Sequence, residues 1–324
     1  IEKIILDRSN ECEVDLPIGE RVGKITHCDT AVKDYIDYLI STSKFVNKDL
    51  KIAVDCANGS SSVTAKDLFE KLGVHADILF SKPDGININE NCGSTYLKSL
   101  SKHVIENNCD LGIAFDGDAD RCLCVDEKGN IMDGDAILAV CALNMKKEGV
   151  LKNNTLVGTI MSNLGLKKFC EKNSINFSET KVGDRYVLER MQNDEYNIGG
   201  EQSGHVIFLD YSTTGDGQLT AVQILNILSK LNKKASVLNE FVKKYPQKSA
   251  TINIMPHQKG VLYKQESIKK YLDSLKKELG EFGRIVVRES GTEPKIRIMV
   301  EHENFDKIDE IIKNTVKIIK ENLN

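Results

Sequence analysis

Lys51-Ile52-Ala53-Val54-Asp55, followed closely by the small-residue stretch Ala57-Asn58-Gly59-Ser60, is the reading on which the fold turns. A short apolar run bounded by turn residues reads as a buried strand, and the small polar loop opens a helix that runs to Lys71. About a hundred residues later the same order returns: 155–160 reads as a strand, Ser162-Asn163-Leu164-Gly165 as a small loop, and 166–172 as a helix. Between the two copies, 74–80, 111–115 and 121–125 read as strands, the last turning at Glu127-Lys128-Gly129-Asn130. Upstream, Asp29 or Thr30 can cap a helix in which Val32, Ile36 and Leu39 recur at helical spacing. Strands alternating with helices predict a covered, mostly parallel sheet.

The end of the chain is built differently. Residues 251–255, 284–287 and 296–300 read as strands, and the last two are joined by a short loop. One helix is lined by Ile268, Leu272, Leu275 and Leu279, and a final one by Ile308, Ile312, Val316, Ile319 and Leu323. The expected fold class is α/β: two similar α/β domains with mostly parallel mixed sheets, then a smaller C-terminal α+β domain. A linker is expected near 243–248, around Pro246.

Bulk properties set limits. The chain has 324 residues, 40% of them hydrophobic and 28% charged, with a formal net charge of -4. Single cores stop growing near ~250–300 residues, so two or three domains are expected. Mild acidity argues against a general nucleic-acid surface, which needs clustered Lys and Arg. The longest apolar run, 136–143, is far short of the ~20 residues that cross a bilayer, so no membrane partner is expected. Nine cysteines occur without a CxxC pair, and the nearest two are Cys122 and Cys124. That scatter fits reduced thiols in a cytoplasmic protein rather than a zinc or disulfide framework. The first residue is Ile1, and the expectation is a chain that starts inside a longer gene product.

Three loops carry chemistry. The first is Asp116-Gly117-Asp118-Ala119-Asp120-Arg121, directly after an apolar strand. Three carboxylates at alternate positions of a tight turn repel one another unless a cation gathers them, and hard oxygen ligands suit Mg²⁺ or Ca²⁺. An EF-hand would place Asp116, Asp118, Asp120 and Glu127 as ligands. That loop needs Gly where Arg121 stands, and the flanks here read as strands rather than helices. Arg121 could help neutralise a phosphoryl group. The second loop is Gly199-Gly200-Glu201-Gln202-Ser203-Gly204-His205, in which Glu201 and Ser203 suit adjacent sugar hydroxyls and His205 is either a third contact or a structural histidine. The third is Arg288-Glu289-Ser290-Gly291-Thr292-Glu293-Pro294, with Arg297 beyond it. A guanidinium, two hydroxyls and backbone that converges at glycine make an anion cradle, although alone the loop also reads as a hairpin turn.

Together the three loops resemble the α-D-phosphohexomutase superfamily, whose pattern has a DGDxDR metal loop, a GExSGH sugar loop and an R-x-SGTEP phosphate loop in this order. Gln202, the SGTEP spelling at 290–294 and Lys181-Val182-Gly183-Asp184-Arg185-Tyr186 are most similar to the phosphoglucosamine mutase branch. The resemblance implies four domains around a cleft. Here they fall as 1–27, the tail of a first domain; 28–129, with the metal loop; 130–244, with the sugar loop; and 245–324, with the phosphate loop. It implies interconversion of glucosamine 6-phosphate and glucosamine 1-phosphate, toward UDP-N-acetylglucosamine, through an enzyme phosphoserine and a hexosamine 1,6-bisphosphate. It implies Mg²⁺ on Asp116, Asp118 and Asp120 with Arg121 in support. The sugar would lie on Glu201, Ser203 and His205, and its phosphate on Arg288, Ser290, Gly291, Thr292 and Arg297. The partner expected is a small sugar phosphate, and a homodimer is compatible with the reading.

The family's Ser-His-Asn-Pro-like sequence, which carries the phosphoserine, has no counterpart here. The expectation is therefore a truncated chain, inactive alone. A phosphomannomutase or phosphoglucomutase is the alternative within the family, because a C2 hydroxyl leaves the other contacts unchanged. A non-catalytic sugar-phosphate binding protein is the alternative outside it.

Overall fold

A computed structural model of the chain describes residues 18–323 apart from Phe45, Gly291 and Thr292. The chain divides into two units, residues 1–35 and 36–324. In the first, the described backbone has a single 3₁₀ turn at Gly19–Arg21, an irregular run over 23–28, and the start of helix α1 (Ala31–Ser41). Of the apolar positions expected along α1, Ile36 and Leu39 are buried while Val32 is exposed.

The described residues of the second unit form three sheets. The first is ordered β2-β1-β3-β4-β5, from β1 (Lys51–Asp55), β2 (His75–Leu79), β3 (Leu111–Phe115), β4 (Cys122–Asp126) and β5 (Ile131–Met132). Strands β2, β1 and β3 are parallel, with β4 and β5 added antiparallel. The crossovers are helices α2 (Ala65–Leu72) and α3 (Lys98–Glu106). Helix α3 seats Leu100 and Val104 against Ala53, Ala114 and Val125. Helix α4 (Gly134–Lys147) follows, with Asp133 as its N-cap accepting from the Ala136 N–H at 3.2 Å.

The second sheet repeats the plan as β7-β6-β8-β9, from β6 (Thr155–Thr159), β7 (Asn176–Thr180), β8 (Ile198–Gly200) and β9 (Val206–Phe208). Its first three strands are parallel and β9 is antiparallel, so the internal repeat expected from sequence holds at the level of topology. Its helices are α5 (Leu164–Lys172), α6 (Asp184–Asn193), α7 (Gly217–Leu231) and the short α8 (Ala235–Asn239). Helix α7 packs against α4 and is buried along most of its length.

The third sheet is antiparallel, β10-β12-β11, from β10 (Gln247–Asn253), β11 (Gly283–Glu289) and β12 (Lys295–His302), covered by α9 (Glu266–Leu279) and α10 (Phe305–Asn322). Ile268, Leu275, Ile308 and Ile319 close its core over Ile296, Ile298 and Val300. A polar joint ties this sheet to the second. Arg284 of β11 bonds buried Glu301 at 2.5 Å, reaches the Ile160 carbonyl at 3.0 Å and also donates to the Ser162 carbonyl. The Asn163 side-chain amide donates to Glu301 at 3.2 Å and to the Tyr245 carbonyl at 3.0 Å, and its oxygen accepts from the Tyr245 N–H at 2.9 Å.

Candidate active site

The metal loop sits at the C-terminal end of β3, a strand buried at every position. Ligand sites in open α/β sheets gather at such strand ends. The turn is closed by the Ala119 N–H donating to the Asp116 carbonyl at 3.1 Å, with Ala119 in the left-handed region at φ 61°. The loop after β1 braces it from below: the Ser60 N–H donates to the Gly117 carbonyl at 2.8 Å. A Cβ on Gly59 would lie 2.2 Å from that same oxygen, so the approach requires glycine.

Each carboxylate of the loop has its own surroundings. Asp116 is buried; its Oδ1 accepts the Arg121 N–H at 3.2 Å and its Oδ2 lies 3.3 Å from the Arg121 Nε. Burial, with Asp120 and Asp118 adding to it, pushes its carboxyl up to about 6. Asp118 is exposed. Asp120 Oδ2 lies 3.1 Å from His205 Nδ1, whereas its Oδ1 is buried without a hydrogen bond, 3.6 Å from the Arg121 Nε. One oxygen from each of the three carboxylates falls within 4.8 Å of the others. A buried carboxylate oxygen without a donor, in an all-oxygen set of like charges, is the arrangement a hard divalent cation would complete.

The sugar loop spans the hairpin from β8 to β9 and is joined to the metal loop. Arg121 and His205 form a β-bridge, and the Cys122 N–H donates to the Gly204 carbonyl at 3.0 Å. Gly204 has φ 96°, and a Cβ there would meet the Cys122 carbonyl at 2.5 Å. His205 is 4% exposed. The Gly215 N–H donates to its Nε2 at 3.2 Å, which leaves the proton on Nδ1 to donate to Asp120. With both nitrogens bonded within the protein, the ring clamps the Asp120 carboxylate, the structural alternative that the sequence leaves open for His205. The Gly215 N–H behind it, in the turn Thr214-Gly215-Asp216-Gly217, has no signal in the sequence, because a backbone donor carries no residue signature.

Glu201 and Ser203 sit at the turn. Ser203 is exposed, and Glu201 Oε1 accepts the Gly183 N–H at 3.0 Å. The Lys181–Tyr186 stretch singled out in sequence is thereby tied to the sugar loop. Gln202 donates to Asp133 Oδ2 at 3.3 Å, an oxygen that also accepts from Lys244.

The phosphate loop is carried by the third sheet. Arg288 and Arg297 are direct partners across β11 and β12. Both line a cavity of about 240 Å³ with Lys295, Glu293 and Met161. Like charges directly opposite on one sheet face are destabilising. Glu293 partly answers this, lying 3.4 Å from Arg297 and 2.6 Å from Lys295, while Arg288 has no ion-pair partner among the described residues. Ser290 is buried, donates its N–H to the Lys295 carbonyl at 2.8 Å and accepts the Glu293 N–H at 3.4 Å. Gly291 and Thr292 lie outside the described residues. Among those that are described, no hydrogen bond or ion pair ties Arg288, Ser290 or Arg297 to the other two loops. No described helix is long and apolar enough to cross a membrane.

A carboxylate cluster that could gather a cation, fused to a glycine-rich polar hairpin and accompanied by an arginine-lined cavity, suits phosphoryl-transfer chemistry. Profiles described as phosphoglucomutase/phosphomannomutase alpha/beta/alpha domain II, alpha/beta/alpha domain III and C-terminal domain match residues 33–129, 133–245 and 255–318. A phosphoglucosamine mutase of Clostridium botulinum (strain Kyoto / Type A2) is 49% identical over 309 residues, 94% of this chain and 69% of the relative. That of Clostridium novyi is 46% identical over 311 residues, 96% of this chain and 69% of the relative.

Among solved structures, a phosphoglucomutase/phosphomannomutase family protein from Burkholderia thailandensis superimposes with a TM-score of 0.79 at 21% identity, covering 98% of this chain and 68% of that one. An Aspergillus fumigatus N-acetylphosphoglucosamine mutase in complex with GlcNAc-6P and magnesium gives 0.75 at 17% identity, covering 93% of this chain and 68% of that one. The chain belongs to the phosphoglucomutase/phosphomannomutase family, within the α-D-phosphohexomutase superfamily. Its relatives at 46–49% identity are phosphoglucosamine mutases, enzymes of the isomerase class in carbohydrate metabolism.

Proposed function

We propose that this chain supplies the metal-, sugar- and phosphate-binding parts of a cytoplasmic phosphoglucosamine mutase, which interconverts glucosamine 6-phosphate and glucosamine 1-phosphate through a hexosamine 1,6-bisphosphate. The observation that carries the reading is the fusion of two loops: the Arg121–His205 bridge and the Asp120–His205 bond hold the carboxylate cluster against the sugar hairpin. Asp116, Asp118 and Asp120 would hold Mg²⁺, which when bound offsets negative charge on a transferring phosphoryl group. Arg121 adds a fixed positive charge beside them. Glu201 and Ser203 orient the sugar through hydroxyls present in both binding directions. Arg288 and Arg297, with Ser290, hold the phosphate that is not reacting, whose charge relieves the repulsion between the two guanidiniums. In the transfer itself a P–O bond forms to the sugar oxygen as the bond to a serine oxygen breaks, and the proton lost by the sugar hydroxyl ends on the departing serine oxygen, regenerating its hydroxyl. The donor serine has no counterpart among these 324 residues. We assign the three structural regions as 28–129, 130–244 and 245–324.

The test is turnover followed by ³¹P NMR on the product of the complete coding region, with Mg²⁺ and a trace of hexose 1,6-bisphosphate. Glucosamine 6-phosphate is expected to convert well ahead of glucose 6-phosphate and mannose 6-phosphate. Equal turnover of the neutral sugars would move the assignment to the phosphomannomutase/phosphoglucomutase branch, and no turnover of any would overturn it.

A further inference from the structure

Away from the three loops, on the first sheet, Asp77, His103 and Cys109 bring three different donor atoms within 4.8 Å of one another. Asp77 stands in the middle of the edge strand β2, opposite Ala53. His103 lies in the last turn of α3, whose end is closed by Asn107 and by Asn108 in the left-handed region at φ 51°. That reversal lets the Cys109 N–H donate to the Val104 carbonyl at 2.9 Å and returns the thiol beneath the histidine. Asp77 Oδ2 is 3.0 Å from His103 Nε2 and 4.0 Å from Cys109 Sγ.

We propose that Asp77, His103 and Cys109 form a second metal site, selective for a borderline transition cation of the Zn²⁺ class and chemically distinct from the carboxylate loop. Tetrahedral zinc, with bonds of about 2.0–2.3 Å, sets its donors roughly 3.3–3.8 Å apart. The spacings of Asp77 to His103 and to Cys109 bracket that range, and the third pair lies within 4.8 Å, so small side-chain rotations bring the three donors to tetrahedral separation. One carboxylate, one imidazole and one thiol make a mixed O/N/S set, which Mg²⁺ disfavours and Zn²⁺ accepts. The thiol is 1% exposed, but the Asp77 and His103 side chains are 40% and 26% exposed, so a cation enters from their side with water as the fourth ligand. The C-terminal end of α3 adds a field that favours positive charge. Burial, then the Asp77 charge, holds the Cys109 thiol above its ordinary range in the metal-free protein. On binding, the S–H bond breaks as the metal–sulfur bond forms, the proton leaves to solvent, and no redox partner is needed.

Co²⁺ added to the intact, chelator-treated chain under a non-thiol reductant and excess Mg²⁺ is the test. The expected result is a sulfur-to-cobalt charge-transfer band that saturates at one equivalent and is displaced by Zn²⁺ but not by more Mg²⁺. It should vanish in Cys109→Ser and weaken at least tenfold in affinity in His103→Gln, with circular dichroism confirming that both variants fold. The carboxylate loop has no thiolate and cannot give this band. Absence of the band in the unaltered chain, or a band unchanged in Cys109→Ser, would overturn the site and leave an Asp77–His103 hydrogen bond over a structural thiol.

Discussion

At the scale of single residues, Asp135 is a carboxylate set inside an otherwise apolar helix. It lies in the first turn of α4, is 1% exposed, accepts the Asn163 N–H at 2.6 Å and leaves Oδ1 without a partner. Burial first, and then the charge of Asp133, push its carboxyl from 3.8 to about 7. The folded protein therefore holds a proton that the unfolded chain releases earlier. The penalty for ionising it is absent below about 4, grows across the window up to about 7, and is complete above that. Asp135→Asn keeps an acceptor for Asn163 and removes the charge. In urea unfolding the variant is expected to be more stable than the parent by roughly 2–4 kcal/mol at pH 8, with the difference shrinking toward zero at pH 4. A difference independent of pH would place the effect in packing rather than ionisation.

At the scale of elements, loop contacts fix the metal loop as firmly as its own turn does. Gly59→Ala drives a methyl against the Gly117 carbonyl, which can move only if the Asp116–Arg121 turn moves with it. The expected outcome is destabilisation on the order of 2–4 kcal/mol in chemical denaturation, with weakened Mg²⁺ binding in calorimetry. An unaltered midpoint would mean the two loops do not brace each other. The elements also show what could be read in advance. Strands β1 and β3 fall where the sequence placed them, since each is a short apolar run closed by turn residues. Helices α4 and α7 did not declare themselves. Residues 134–142 are buried without interruption, and a helix apolar on all sides has no amphipathic period to detect. In the site, the convergence of Asp116, Asp118 and Asp120 is legible because three carboxylates at alternate positions of one tight turn must face one another. The clamp on His205 was not, because its partners are a backbone N–H and a carboxylate far away in sequence.

At the scale of the whole molecule, the third sheet is held to the second through a compact polar joint. Glu301 is fully buried and depends on Arg284, Asn163 and the Leu164 N–H for its charge. Arg284→Met strands that carboxylate and is expected to cost about 3–5 kcal/mol, whereas Arg284→Met with Glu301→Leu should recover much of the loss. Differential scanning calorimetry would show this as an earlier transition for the C-terminal sheet. A double variant no better than the single one would mean the joint acts through shape rather than charge.

That joint and the anion cavity share one strand. Arg284 and Arg288 are four residues apart on β11, about 13 Å at the usual rise per residue. Under the proposed function, a strand anchored at one end and gripping a phosphate at the other would act as a lever. A tilt of roughly ten degrees about the anchor would carry the base of the gripping guanidinium about 2 Å, enough to make or lose a bidentate contact. On the proposed reading, reach for the ligand is set at the fulcrum, so a substitution there would loosen the grip without altering any atom that would touch the phosphate.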